Sequence, residues 1–192
     1  MLSLLDVATR ELREIARGTD QRREDDKIRE VRWSADGRIL FYQRDNTIRA
    51  FDVASGDDRT IYRYAPAGPT VLGGFDVRHS DGAFVTQEPI DGDERCRIRV
   101  LQGAAIVDRG ELNGRCTAVT WSPDGTRILA ATFTSVGHLW VFEHEGGEPW
   151  QLPLPADVFW DLSVSADGRE LLFSAGNPRP NMVILRGLGG AR

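Results

Sequence analysis

The chain is 192 residues long, 41% hydrophobic and 28% charged, with a formal net charge of −5. Those values describe an ordinary globular chain that can bury about 70% of its unfolded surface, in one domain or two small ones. The acidic balance argues against non-specific binding to nucleic acid or an anionic membrane, and no apolar run is long enough to span a bilayer.

Residues 1–17 read as two short strands around the turn Asp6-Val7-Ala8-Thr9. The opening Met1-Leu2-Ser3-Leu4-Leu5-Asp6 meets an acid before a signal-type apolar segment can form, so the expected location is cytoplasmic, or periplasmic if the chain is a slice of a longer secreted protein. Residues 18–28 are a polar, mixed-charge connection. Residues 29–65 read as four strands, the first two reversing at Ser34-Ala35-Asp36-Gly37 and the third ending in Phe51-Asp52-Val53-Ala54-Ser55. Pro66 and Pro69 close this unit, because neither can continue a ladder. Residues 72–110 read as four more strands, reversing at His79-Ser80-Asp81-Gly82, with the acidic hairpin loop Glu88-Pro89-Ile90-Asp91-Gly92-Asp93-Glu94. That loop offers too few oxygen ligands in register for calcium. Residues 115–154 give another four, reversing at Ser122-Pro123-Asp124-Gly125, and residues 160–188 give three, reversing at Ser165-Ala166-Asp167-Gly168.

The turn aspartates 36, 81, 124 and 167 stand 45, 43 and 43 residues apart. Gly accepts the positive φ of a tight reversal, and apolar strand residues flank each turn. A period near 40–45 residues with several short strands per unit is the mark of a propeller blade. The expected fold is therefore an all-β β-propeller over 1–192, of about four blades of four antiparallel strands. With two strands at one end and three at the other, either the ends share a blade or self-association covers their exposed apolar faces.

The turn Trp121-Ser122-Pro123-Asp124-Gly125 followed by Arg127-Ile128-Leu129, with its copies, resembles the TolB-type repeat, a relative of the WD-type propeller repeat. The second copy departs from it, with Arg78 where Trp33 and Trp121 stand. The resemblance implies a non-catalytic module whose default role is protein–protein contact. It offers two alternatives as part of something larger: the propeller of a prolyl-oligopeptidase-like serine peptidase, or the sensory propeller of a bacterial kinase or transcription regulator.

No nucleophile elbow or glycine-rich phosphate loop is present, the three histidines lack metal-ligand spacing, and no cofactor or metal is expected. Trp33 and Trp121, at equivalent places, are expected to be packing residues, and Trp140 to lie between blades. Cys96 and Cys116 fall on different blades and are read as reduced, buried thiols. The loops after second strands and the connections before first strands emerge on one face. That candidate binding face collects Arg44, Asp45, Tyr64, Asp91, Asp93, His138, Trp160, Asn177 and Arg179, mixing both charge signs with aromatics. A polysaccharide-active enzyme would need paired carboxylates there, for which Asp45, Asp91 and Asp93 are the candidates.

Overall fold

Each D-G reversal is held by its own side chains. In the computed structural model, Ser34 Oγ donates to Asp36 Oδ1 at 2.6 Å, Ile39 N donates back to Ser34 Oγ at 2.9 Å, and Arg38 N donates to Asp36 Oδ1 at 3.1 Å. Gly37 takes φ 68°, open to glycine at little steric cost. The same network recurs at Ser122/Asp124/Arg127 and Ser165/Asp167/Glu170. The out-of-phase Asp-Val-Ala repeat has its own cause. Asp6 Oδ1 accepts from Ala8 N and Thr9 N, and Asp52 Oδ1 accepts from Ala54 N and Ser55 N. Both are Asx turns that close a hairpin after a strand.

The structure describes residues 1–17, 28–65, 72–153, 159–176 and 181–186. They contain no helix. The chain divides into two compact units, Met1–Ala65 and Pro66–Arg192.

The first unit holds β1 (Leu2–Leu5) paired with β2 (Leu12–Ala16), and a four-stranded antiparallel sheet of β3 (Ile28–Trp33), β4 (Ile39–Arg44), β5 (Thr47–Asp52) and β6 (Asp58–Arg63) in chain order. Leu2, Ile15 and Ala16 pack with Leu40, Tyr42 and Phe51 of β4 and β5. Two strands cover only part of a four-stranded sheet. Trp33, opposite Leu40 on β3, is therefore 41% exposed, which corrects its expected role as a packing residue. Tyr42 is fully buried and donates its phenol to Asp58 Oδ2 at 2.7 Å. Burial first, and the Asp58 carboxylate second, push that phenol up to about 12.

The second unit holds three sheets. They are β7 (Gly74–Val77), β8 (Phe84–Ile90), β9 (Arg95–Gln102) and β10 (Ala105–Asn113); then β11 (Arg115–Trp121), β12 (Arg127–Phe133), β13 (Gly137–Glu143) and β14 (Trp150–Leu152); then β15 (Phe159–Val164), β16 (Glu170–Ala175) and β17 (Asn181–Arg186). Every pairing is antiparallel between chain neighbours. Strand alternation aims each face of the middle sheet at a different neighbour. Val119, Trp121, Ile128, Ala130 and Phe142 meet Val85, Ile98, Val100 and Leu112 of the preceding sheet, with Trp140 packed against them. Ala118, Leu129, Ala131 and Leu139 meet Leu162, Leu171 and Phe173 of the following one.

Face-to-face packing also corrects the reading of the cysteines. Cys96 on β9 and Cys116 on β11 belong to different sheets, yet their Cα atoms lie 5.2 Å apart and they form a disulfide. Sequence distance between blades does not separate residues whose side chains point into the same seam. Gly73 leaves room for it: a Cβ at that position would stand 2.5 Å from Cys116 Cβ.

Candidate functional site

The turns joining first to second and third to fourth strands lie at one end of the second unit. Two features meet there, one on each side of the middle sheet.

The first is a groove between the middle and last sheets. It is open to solvent and holds about 70 Å³, with Leu129, Val141, Leu152 and Val164 as its apolar wall and Ser122 and Gly168 at its turn end. Trp150 begins β14 and remains 36% exposed on the rim. Arg127 lies over that indole, its guanidinium carbon 5.7 Å from the ring centroid, and pairs with Glu143 at 3.1 Å. An amphipathic aromatic with a guanidinium over its ring, beside an apolar trough, is the composition of a protein-contact hot spot.

The second feature grows from Arg78, the departure noted in the repeat. Exposed His79 takes the place that Ser34 and Ser122 hold in the other turns, and Arg78 performs the capping instead. Its Nε and Nη2 donate to the two carboxylate oxygens of Asp81 at 2.8 and 2.7 Å. This fork, first by hydrogen bonding, holds the Asp81 carboxyl below the usual carboxylate range. Nη1 crosses to the neighbouring sheet and donates to Gly125 O at 3.1 Å. The guanidinium lies over Trp121 at 4.6 Å, and His144 meets the same indole edge-on at 5.4 Å. Asp76 adds a further tie, accepting from Thr120 Oγ1 and Trp121 N at 2.9 Å each. Arg109 and His144 stand in the same neighbourhood, Arg109 adding a second positive charge beside Arg78.

The face expected from the sequence lies at the opposite ends of the strands. Asp45, Asp91 and Asp93 all take positive φ, at 52°, 52° and 76°. That is a turn conformation which Asp tolerates better than most residues, and it accounts for their identity. Arg44 ends β4, Asp45 and Asn46 form the β4–β5 turn, and buried Tyr64 joins them by donating its N–H to Asn46 O at 2.8 Å. Asp91 is ion-paired with Arg95, which also reaches Glu111 at 2.6 Å. Asp93 stands 4.0 Å from Arg115. His138, inside β13, accepts from Gln151 Nε2 at 2.9 Å on Nδ1 and meets Thr134 Oγ1 at 3.2 Å on Nε2. Trp160 lies within β15, at a register shift, rather than before the strand as its place in the sequence suggested. Asn177 and Arg179 lie outside the described residues. The structure thus groups Asp91 with Asp93, and Arg44 and Asp45 with Tyr64. Among the described residues no set of three or more His, Cys, Asp or Glu is placed to hold a metal ion.

The Arg78 cluster and the Trp150 groove were not foreseen. The one available signal was the substitution of Arg78 for tryptophan in an otherwise regular repeat.

No protein-family model matches the chain, and no curated protein sequence matches it. Solved structures do. TolB from Acinetobacter baumannii superposes with a TM-score of 0.76 at 14% identity, covering 98% of this chain and 47% of its own. A putative TolB from Agrobacterium tumefaciens gives 0.71 at 15%, covering 95% and 64%. The Cps50 (Swd1) β-propeller domain of Myceliophteria thermophila gives 0.68 at 17%, covering 97% and 59%. The fold is an all-β propeller fold of the kind found in TolB and WD-type proteins. The chain spans about half the length of the first of these and less than two thirds of the others.

Proposed function

We propose that the chain is a non-catalytic, protein-binding module built on propeller sheets, and that its partner enters the groove beside Trp150. The observation that carries this reading is the pairing of an exposed indole, stacked under Arg127, with an apolar trough along Leu129, Val141, Leu152 and Val164. The default role of protein contact implied by the resemblance supports it. So does the turn geometry of Asp45, Asp91 and Asp93, all at positive φ, with Asp91 and Asp93 facing Arg95 and Arg115, an arrangement that needs no carboxylate catalysis. The Cys96–Cys116 bond supports an oxidising compartment over the cytoplasmic expectation, because such bonds persist where thiols are not kept reduced. The partial coverage of longer chains supports a role as one portion of a larger assembly, through self-association or a longer chain.

The test is capture of partners from the host by the oxidised protein and by Trp150→Ala. The reading expects one or more partners retained by the unaltered protein and lost by the variant. Equal capture by both, with Trp150→Ala folded, sinks the assignment of the groove.

A further inference from the structure

A bulge turns Arg109 inward. On β10, Asp108 pairs with Arg99 and Gly110 pairs with Ile98, leaving Arg109 as the extra residue between them. A bulge of this kind re-aims one side chain out of the ladder, and such bulges recur beside binding sites. Here the side chain goes into the seam where Arg78, Trp121 and His144 meet.

Its surroundings are short of acceptors. Among the described residues Arg109 makes no ion pair or hydrogen bond, and its Nε is shut away from solvent without a partner. Trp121 Nε1 and His144 Nδ1 are in the same condition, and Trp121 is only 5% exposed. Three unpaired nitrogens in one neighbourhood are unusual, because a buried donor without a partner costs about 1–3 kcal/mol. The carboxylates built into the cluster are occupied: Asp81 is taken by the fork from Arg78, and Asp76 accepts from Thr120 Oγ1 and Trp121 N. Glu145 sits exposed on the adjoining turn and forms no pair with Arg109. Burial and then Arg78 lower the Arg109 guanidinium, while burial, Arg78 and Arg109 lower His144. The imidazole is thus held neutral at neutral pH, and the half-buried guanidinium is left, among the described residues, without a paired counter-charge. Access is from the turn after β13. Gly146 and Gly147 take φ 117° and 114°, and a Cβ at 146 would stand 3.9 Å from Arg109 Nη1. Gly146 therefore leaves the outer edge of the guanidinium uncovered by a side chain.

We propose that this seam is a binding site for a carboxylate group, held by the outer edge of Arg109 beside Trp121 and His144. One unmatched guanidinium calls for one negative charge, and a carboxylate presents two acceptor oxygens to its paired N–H groups. A phosphate dianion would leave a charge over. The proposal stands apart from the Trp150 groove on the other side of the middle sheet, so either can fail alone.

The experiment is titration of the isotope-labelled, oxidised protein at constant ionic strength, reading the Arg109 Nε–H and tryptophan indole N–H resonances. Acetate is the simple probe, inorganic phosphate the competing one. A blocked peptide with a single glutamate tells a free acid from a protein side chain by its tighter binding. The expected result is a saturable shift of Arg109 and Trp121 with acetate, none at Trp33 or Trp150, and weaker response to phosphate. Arg109→Gln should weaken binding by about tenfold or more, and Arg109→Lys should recover part of it. Linear shifts indistinguishable from chloride, or saturation by phosphate but not acetate, overturn the proposal. So does undiminished acetate binding in folded Arg109→Gln. Should that variant not fold, the titration of the unaltered protein decides.

Discussion

The middle sheet of the second unit has two seams, and they are built differently. Against β7–β10 it is tied by the disulfide, by Arg78 to Gly125, by Asp76 to Thr120 and Trp121, and by Gln87 Nε2 donating to Ala131 O at 3.0 Å. Against β15–β17 the core contacts are apolar, Leu129 and Leu139 meeting Leu162, Leu171 and Phe173, and the turn end of the seam gapes into a groove. Directional bonds fix one sheet on its neighbour in a single register. Apolar contact holds the other but leaves its rim free to receive something else.

The comparison breaks most visibly by removing side chains from each core. Phe142→Ala should cost about 3–5 kcal/mol in chemical unfolding and loosen β7–β14 together, because Phe142 is 1% exposed in the cross-linked seam. Leu171→Ala should cost about 2–5 kcal/mol, yet hydrogen exchange should rise over β15–β17 first and leave β7–β10 protected. Equal exchange across both seams would show that they are not distinct.

Replacing both cysteines by alanine comes next. The bridge spans 20 residues, for which loop closure gives about 3 kcal/mol. A reductant should produce the same loss in the unaltered protein and none in the double variant. Asp76→Ala should cost about 1–3 kcal/mol, since it strips acceptors from Thr120 Oγ1 and Trp121 N across the seam. Trp150→Ala should change stability by under about 1 kcal/mol while abolishing partner capture.

The smallest effect is the pH response. Hydrogen bonds lower the Asp81 carboxyl in the folded chain below its ordinary value of 3.8. The unfolded chain therefore takes up this proton first as acid is added. The stability involved is complete above the ordinary range and is lost as pH falls through the lowered folded value. His144 acts in the same sense, being lowered from 6.5, so its part is complete above that value and fades as pH falls below it. Asp81→Asn should flatten the acid limb of the unfolding curve, and His144→Gln the limb above it.

The sequence disclosed the sheets because their turns are local. The side chains of Ser122 and Asp124 find their turn partners within six residues, so spacing and residue type suffice to place them. The seams are another matter. Trp33 and Trp121 hold the same place in the repeat, but one is 41% exposed and the other 5%, because burial depends on what lies opposite. Cys96 and Cys116 met for the same reason, and no period in the sequence marks which faces oppose. Arg78 was visible as an irregularity, yet its partners Gly125 and Trp121 lie on another sheet and could not be read from its neighbours in sequence. The aspartates of the expected binding face were legible as loop residues, and their positive φ values go with the tight turns they occupy.

Strand β10 is nine residues long and ends its sheet, pairing on one side only with β9. A flat border of that length would invite a strand from a second molecule and could seed fibrils. The irregularity between Asp108 and Gly110 interrupts it midway, and Asp108 and Glu111 stand charged on either side. The same kink that turns an arginine inward thus guards the border against templated growth. Straightening it by deleting Arg109 would be expected to yield a chain that clumps.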